Sequence, residues 1–169
     1  MDKFETVTFP SAFSYWDRVR AAMYLMLERK SGYVFVAFWP LLGIGLAAMT
    51  VFKTGRFEAW TLFPLLVCLL FVPVMVLLGA ATTHYMNKQA REPFTYTFDA
   101  DGIRAVGVTY EYAHKWPAIF QVKRRSGFLM FFFAPACAHC IPLRTIPDPD
   151  LQASLIAMAA ANGADTRKA

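Results

Sequence analysis

The sequence predicts an α+β membrane protein, a two-helix transmembrane hairpin plus a small antiparallel β-domain closed by a C-terminal helix. Three observations carry this reading. Between Lys30 and Lys53 lie 22 residues without a formal charge, and between Glu58 and Lys88 lie 29 more. After Arg91 the apolar residues switch to a period of two, as in FTYTFD. Near the end, Asp148-Pro149 opens a stretch whose Leu151, Leu155 and Met158 fall at helical spacing.

The apolar runs come first. Of 169 residues, 57% are hydrophobic and 17% charged, against roughly 45–50% and about 25% in soluble domains. A bilayer core about 30 Å thick needs roughly 20 helical residues, which each run supplies. Neither run keeps the polar stripe of a buried core helix. The first begins near residue 33, without a short basic start or a small-residue cleavage site, so it does not read as a signal peptide. The connection KTGRFE is too short for anything but an antiparallel hairpin, so both termini share a side. Arg18, Arg20, Arg29 and Lys30 precede the first run and Lys88 and Arg91 follow the second, while the connection holds Lys53 and Arg56. Positive residues favour the cytoplasmic side, which predicts cytoplasmic termini and a cell (inner) membrane location. These juxtamembrane positives also account for much of the net charge of +5, which therefore calls for no nucleic-acid partner.

The expected layout is an N-terminal strand and amphipathic helix over 1–32, the hairpin over 33–86, and a cytosolic β-domain over 90–164. KFETVTF alternates as a strand does, Pro10 breaks it, and Ser11 is placed to cap a helix. Ala12, Tyr15, Trp16, Val19, Met23, Met26 and Leu27 then form an apolar stripe. Such a helix either packs on the following domain or lies in the membrane interface. In the hairpin, Pro64 sits near a helix start, where its missing N–H costs little, and Pro73 falls mid-span, where a kink is expected. Gly43 and Ala47 form a small-xxx-small pair that lets helices approach. Neither span contains Asp, Glu, Lys or Arg, which argues against an ion path. His84 reads as an interfacial residue.

In the β-domain, Phe94, Tyr96 and Phe98 share one face of a first strand, Asp101-Gly102 turns the chain, and IRAVGVTY returns it. A short strand is expected over 110–116, and a bulge or edge at Pro117 before IFQVK. KRRSG reads as a turn, FLMFFF as a strand buried on both sides, and CAHCI as the next strand, closed by Pro142. Asp148 caps the last helix, Gly163 ends it, and the final residues are expected to fray.

These residues resemble the YcxB-like family of bacterial membrane proteins. The resemblance rests on two apolar helices followed by D-x-D-G at Asp99 to Gly102 and Y-x(3)-W-x(2)-I-x(2)-V at Tyr112, Trp116, Ile119 and Val122. It continues through the apolar strand and Ile141-Pro142 before a terminal helix. It implies a pleckstrin-homology-like sandwich with a capping helix, in which Trp116, Ile119, Val122 and Pro142 are structural anchors. No activity, cofactor or catalytic residue comes with it. A basic residue usually follows the Ile-Pro pair in this family. Here Leu143 precedes Arg144, which moves the charge one place and aims it at the other face.

Cys137, His139 and Cys140 invite a metal or redox reading. In a strand, however, residues three apart point to opposite faces, so the two thiols cannot share a ligand. A zinc knuckle also needs a turn and a second ligand pair, and the only other cysteine is Cys68 in the second apolar run. The residues read as free thiols in a reducing compartment. Asp99 and Asp101 read as turn formers, His114 as a surface strand residue, and Trp116 as a core anchor.

No nucleophile elbow, phosphate loop or HExxH occurs. The expectation is therefore a non-enzymatic membrane protein whose β-domain binds a ligand or regulates a neighbour. An accessory subunit of a transporter or channel, with the hairpin meeting a membrane-protein partner or forming a homo-oligomer, is the alternative. Lys123, Arg124 and Arg125 form the densest positive cluster. It reads either as a solvated turn or as a contact with anionic phospholipid head groups of the bilayer.

Overall fold

The computed structural model describes residues 6–169, so the start of the KFETVTF strand lies outside the described residues. A strand, Val7–Ser11 (β1), leads into helix Tyr15–Glu28 (α1). Two long helices follow, Lys30–Thr54 (α2) and Phe63–Ala81 (α3), with a 3-10 turn Ala59–Leu62 before the second. A π turn, Thr82–Met86, and a short helix, Lys88–Arg91 (α4), lead to strands Phe94–Phe98 (β2), Gly102–Val106 (β3) and Glu111–Lys115 (β4). Gln121–Arg125 (β5), Phe128–Ala134 (β6), Cys137–Pro142 (β7), helix Pro149–Ala161 (α5) and Asp165–Lys168 (β8) complete the chain.

The spans Lys30–Thr54 and Ala59–Met86 are long and apolar enough to cross a bilayer, with hydropathies of 2.1 and 2.8. Only 6% and 11% of their most apolar windows are buried, so these faces are not those of core helices. α2 and α3 form the expected antiparallel hairpin. Gly43 lets them close: a Cβ there would fall 2.9 Å from Leu65 Cα and 3.0 Å from Cys68 Cβ. Gly55, at φ 66°, ends α2 and donates to the Val51 carbonyl at 2.8 Å. Pro64 lies in the first turn of α3 and Pro73 inside it.

The β-domain has two four-stranded sheets, ordered β1-β2-β3-β4 and β7-β6-β5-β8. They share one core, in which Phe98 and Ile103 of one sheet meet Val122, Leu129 and Phe131 of the other. Leu155, Met158 and Ala159 of α5 close it. Period-two patterning explains β2, whose Phe94, Tyr96 and Phe98 are buried. At the β2–β3 turn, Asp99 Oδ1 accepts from the backbone N–H groups of Asp101 and Gly102, each at 2.9 Å. Trp116 donates its indole N–H to the Asp99 carbonyl at 2.9 Å. A Cβ on Gly102 would lie 2.2 Å from the His114 carbonyl oxygen, so only glycine fits.

Several expectations are corrected. Pro10 does not break the first strand but lies within β1, because β1 is an edge strand and a missing N–H is tolerated there. The helix cap is Ser14 rather than Ser11, through a reciprocal capping box with Asp17. Pro117 makes neither bulge nor edge. It sits in a 3-10 turn, Trp116–Ala118, between the last strand of one sheet and β5 of the other. Lys123, Arg124 and Arg125 are not in a turn but in β5, facing Met130, Leu129 and Phe128 in register. Ser126 and Gly127 suffice to turn the chain, at φ 45° and 83°. The last residues pair in parallel with β5 as β8 instead of fraying. Finally, β1 pairs with β2, so segment 1–32 is not set apart from the β-domain.

Of the two expected places for α1, the structure shows packing on the β-domain. Ala21, Tyr24 and Leu25 lie against Phe128, Met130, Phe132 and Cys140, the outward face of β6 and β7. That contact explains why the FLMFFF run is apolar on both faces. Three polar ties fix α1 there: Asp17 to Arg144, Glu28 to Lys123, and Arg29 to the Pro135 carbonyl at 2.9 Å. On another side α1 meets the hairpin, where the Tyr15 hydroxyl donates to the Leu77 carbonyl at 3.1 Å.

Candidate functional site: a cleft between hairpin and β-domain

Where α1, the end of α3 and the β-domain meet, they leave a cleft of about 380 Å³. Its floor is aromatic, with Phe13, Phe94, Tyr96 and Phe133, and its mouth is polar, with Thr83, Asn87 and Gln89 from the chain that leaves α3. A second cleft of about 400 Å³ shares Phe13, Arg18, Thr83, Tyr96, Ala138 and His139 with it, and extends to Gly79 and Ala80 of α3 and Leu25 of α1. Both volumes fall in the range of small-molecule sites.

Arg18 is the sole formal charge among the described residues lining the two clefts. It donates to the Ala90 carbonyl and lies 5.5 Å over the Phe13 ring. Its Nε is buried and has no partner among the described residues. Burial lowers its pKa, with Tyr110 and Asp17 acting in the opposite direction.

The second feature is a histidine pair. His114 of β4 and His139 of β7 place Nδ1 and Nε2 2.8 Å apart, and so join the edges of the two sheets. The His114 ring stacks on Phe133, with centroids 4.0 Å apart. Burial first, and then His114, depress the His139 pKa to about 4. His139 is therefore neutral at pH 7, and across the contact one ring nitrogen donates and the other accepts.

His114 is thus no surface residue, which corrects the sequence expectation. The signal was present. Trp116 must point inward, and His114 lies two residues before it on the same face of a strand. Its partner in register is the buried Ile103. Arg18 was legible only as a residue off the apolar stripe, because its surroundings come from segments distant in sequence.

Of the expected anchors, Trp116 and Ile119 are each 2% exposed and Val122 is fully buried, all in the shared core, and Pro142 is buried too. Tyr112 instead lines the cleft and is exposed. Cys140 faces α1, and its burial pushes the thiol up to about 12, well away from a reactive thiolate. Cys137 is half-buried, and all three cysteines are free. Lys123 pairs with Glu28 and lies 5.2 Å over Phe132, Arg125 lies 5.3 Å over Tyr24, and Arg124 is exposed.

Architecture and site together define an apolar helical hairpin inserted into a two-sheet β-domain, with a ligand-sized cleft at the junction. Residues 98–159 match the family model described as YcxB-like protein, so the family resemblance read from the sequence holds over the stretch from the end of β2 into α5. No curated protein matches the chain, and no solved structure does. The hairpin, α1 and Arg18 lie outside the matched stretch.

Proposed function

We propose that the chain is a non-enzymatic integral membrane protein that crosses the bacterial inner membrane twice, with both termini in the cytoplasm. Its β-domain, pleckstrin-homology-like in outline, is a ligand-binding or regulatory module held at the membrane surface. One observation carries this reading: α2 and α3 bury few of their apolar residues while the adjoining domain closes its own core. Water would penalise such a surface by roughly 25 cal/mol per Å², and a bilayer would not. Aromatic residues support it, with Phe57, Trp60 and Phe63 exposed near one end of the hairpin and Trp16, Tyr33 and Tyr85 near the other. Arg124 and Arg125 are the exposed members of their cluster, Arg125 over the Tyr24 ring, and they are the ones free to meet anionic head groups.

The alternative, an accessory subunit of a transporter or channel, loses the small-residue seam it would use, because Gly43 already faces Leu65 and Cys68 of its own chain. Alkaline carbonate extraction tests the membrane reading. The chain should stay with the membrane pellet, and release into the supernatant would refute integration. Co-purification of stoichiometric channel or transporter subunits in mild detergent would favour the alternative.

A further inference from the structure

We propose that the paired clefts around Arg18 bind one anionic phospholipid, its phosphate on the Arg18 guanidinium and an acyl chain along the apolar wall formed by α1 and α3. The proposal rests on the membrane reading above and names the ligand class of that module.

Charge comes first. A half-buried guanidinium without a counter-ion is costly, because the water removed is replaced here only by the neutral Ala90 carbonyl and the Phe13 ring. Among the described residues, Arg18 forms no ion pair. Its neighbour Asp17 is engaged by Arg144, through contacts of 2.6 and 2.7 Å. No Asp or Glu lines either cleft among the described residues, and a histidine brings no negative charge. An anion is therefore the missing partner. Asn87 and Gln89 at the mouth add amide donors suited to phosphate oxygens.

Shape and position select a lipid over a soluble anion. From Arg18 the second cleft runs between Leu25 of α1 and Gly79 and Ala80 of α3, an apolar slot with no use for inorganic phosphate. Gly79 and Ala80 stand within one turn before Thr82–Met86, where the apolar span ends. In a crossing hairpin this is the depth of the head groups and first methylenes of the adjoining leaflet.

The test is native mass spectrometry of the full-length chain, purified from membranes in mild non-ionic detergent and titrated with anionic or zwitterionic phospholipid of equal chain length. One lipid per chain is expected, with at least tenfold preference for the anionic one. Arg18→Gln should remove that preference, Arg18→Lys should retain much of it, and Arg104→Gln, exposed on β3 and away from both clefts, should leave it unchanged. Equal retention of both lipids by the wild type would overturn the proposal without need of any variant. So would unchanged selectivity in Arg18→Gln. Inorganic phosphate serves as the soluble probe. If millimolar phosphate raises the melting temperature of wild type but not of Arg18→Gln, and no lipid is retained, the site takes a soluble anion and the lipid assignment falls. A chain that resists carbonate extraction yet retains no lipid refutes this inference alone.

Discussion

Arg144 and Asp17, 127 positions apart, form a two-pronged ion pair, Nη1 to Oδ1 at 2.7 Å and Nη2 to Oδ2 at 2.6 Å. Arg144 lies in the 3-10 turn Leu143–Thr145 that follows β7, and Asp17 is the third residue of α1, so the pair ties the N-terminal helix to the β-domain. Arg144 stands one place after Leu143 in this turn, and from there its guanidinium reaches α1. Asp17 is buried and also accepts from the Ser14 backbone N–H at 2.7 Å, so one carboxylate both caps the helix and anchors it.

Replacing Arg144 with Ala should leave a buried carboxylate held by Ser14 alone. The expected loss is about 1–3 kcal/mol, less than for a fully buried pair because Arg144 is half exposed. Thermal unfolding in detergent measures it. An unchanged melting temperature would mean that packing alone holds α1.

Stability should fall with acid in two stages. Burial depresses His139, so the unfolded chain binds more protons than the folded one between its ordinary 6.5 and about 4. Its contribution is therefore complete above pH 6.5 and is lost as pH falls toward 4, at up to about 1.4 kcal/mol per pH unit. The groups around it are His114, Phe133 and Tyr96, none of them a carboxylate. Asp17 follows lower down. Burial alone would raise its pKa, but hydrogen bonds from Arg144 and Ser14 outweigh that and lower it below 3.8. Its contribution is present above the ordinary carboxylate range and disappears as pH falls through the depressed value. His139→Leu should flatten the first stage and leave the second in place, as read from melting temperatures between pH 7 and 3.

Gly102→Ala should cost roughly 2–3 kcal/mol, because the added Cβ meets backbone that cannot step aside like a side chain. Trp116→Phe keeps the buried ring but drops the bond to the Asp99 carbonyl, and should cost about 1 kcal/mol. A Gly102→Ala chain as stable as wild type would show that the β2–β3 turn can relax.

Local patterns made most elements legible. Alternation marked β2, Asp101-Gly102 marked its turn, and Asp148-Pro149 marked α5. What escaped depended on partners far along the chain. Pro10 looked like a break because edge position is a property of the sheet. The basic residues of β5 looked like a turn because their partners, Glu28 and Tyr24, belong to α1. The cleft was invisible for the same reason: Arg18, His114 and His139 come from three elements that only the fold brings together. The double coverage of β6, by contrast, was legible in FLMFFF, although nothing local named α1 as the cover.

These contacts also bear on dissection. A fragment beginning near Arg91 would lack β1 and α1, and so expose the Phe128, Met130 and Phe132 face. It should be poorly soluble, whereas a chain with β1 and α1 rejoined to residue 90 through a flexible linker in place of the hairpin should fold. Size-exclusion profiles of the two distinguish them, and a monodisperse short fragment would deny α1 its structural role.

The central claim is that the hairpin crosses the membrane and leaves the β-domain, α1 included, in the cytoplasm. With Cys68, Cys137 and Cys140 replaced by Ala, single cysteines at Thr54 in the connection and Gln152 on α5 can be probed in intact cells with a membrane-impermeant thiol reagent. The account predicts labelling at Thr54→Cys and, until the cells are permeabilised, none at Gln152→Cys. Labelling of both positions, or of Gln152→Cys alone, would contradict it.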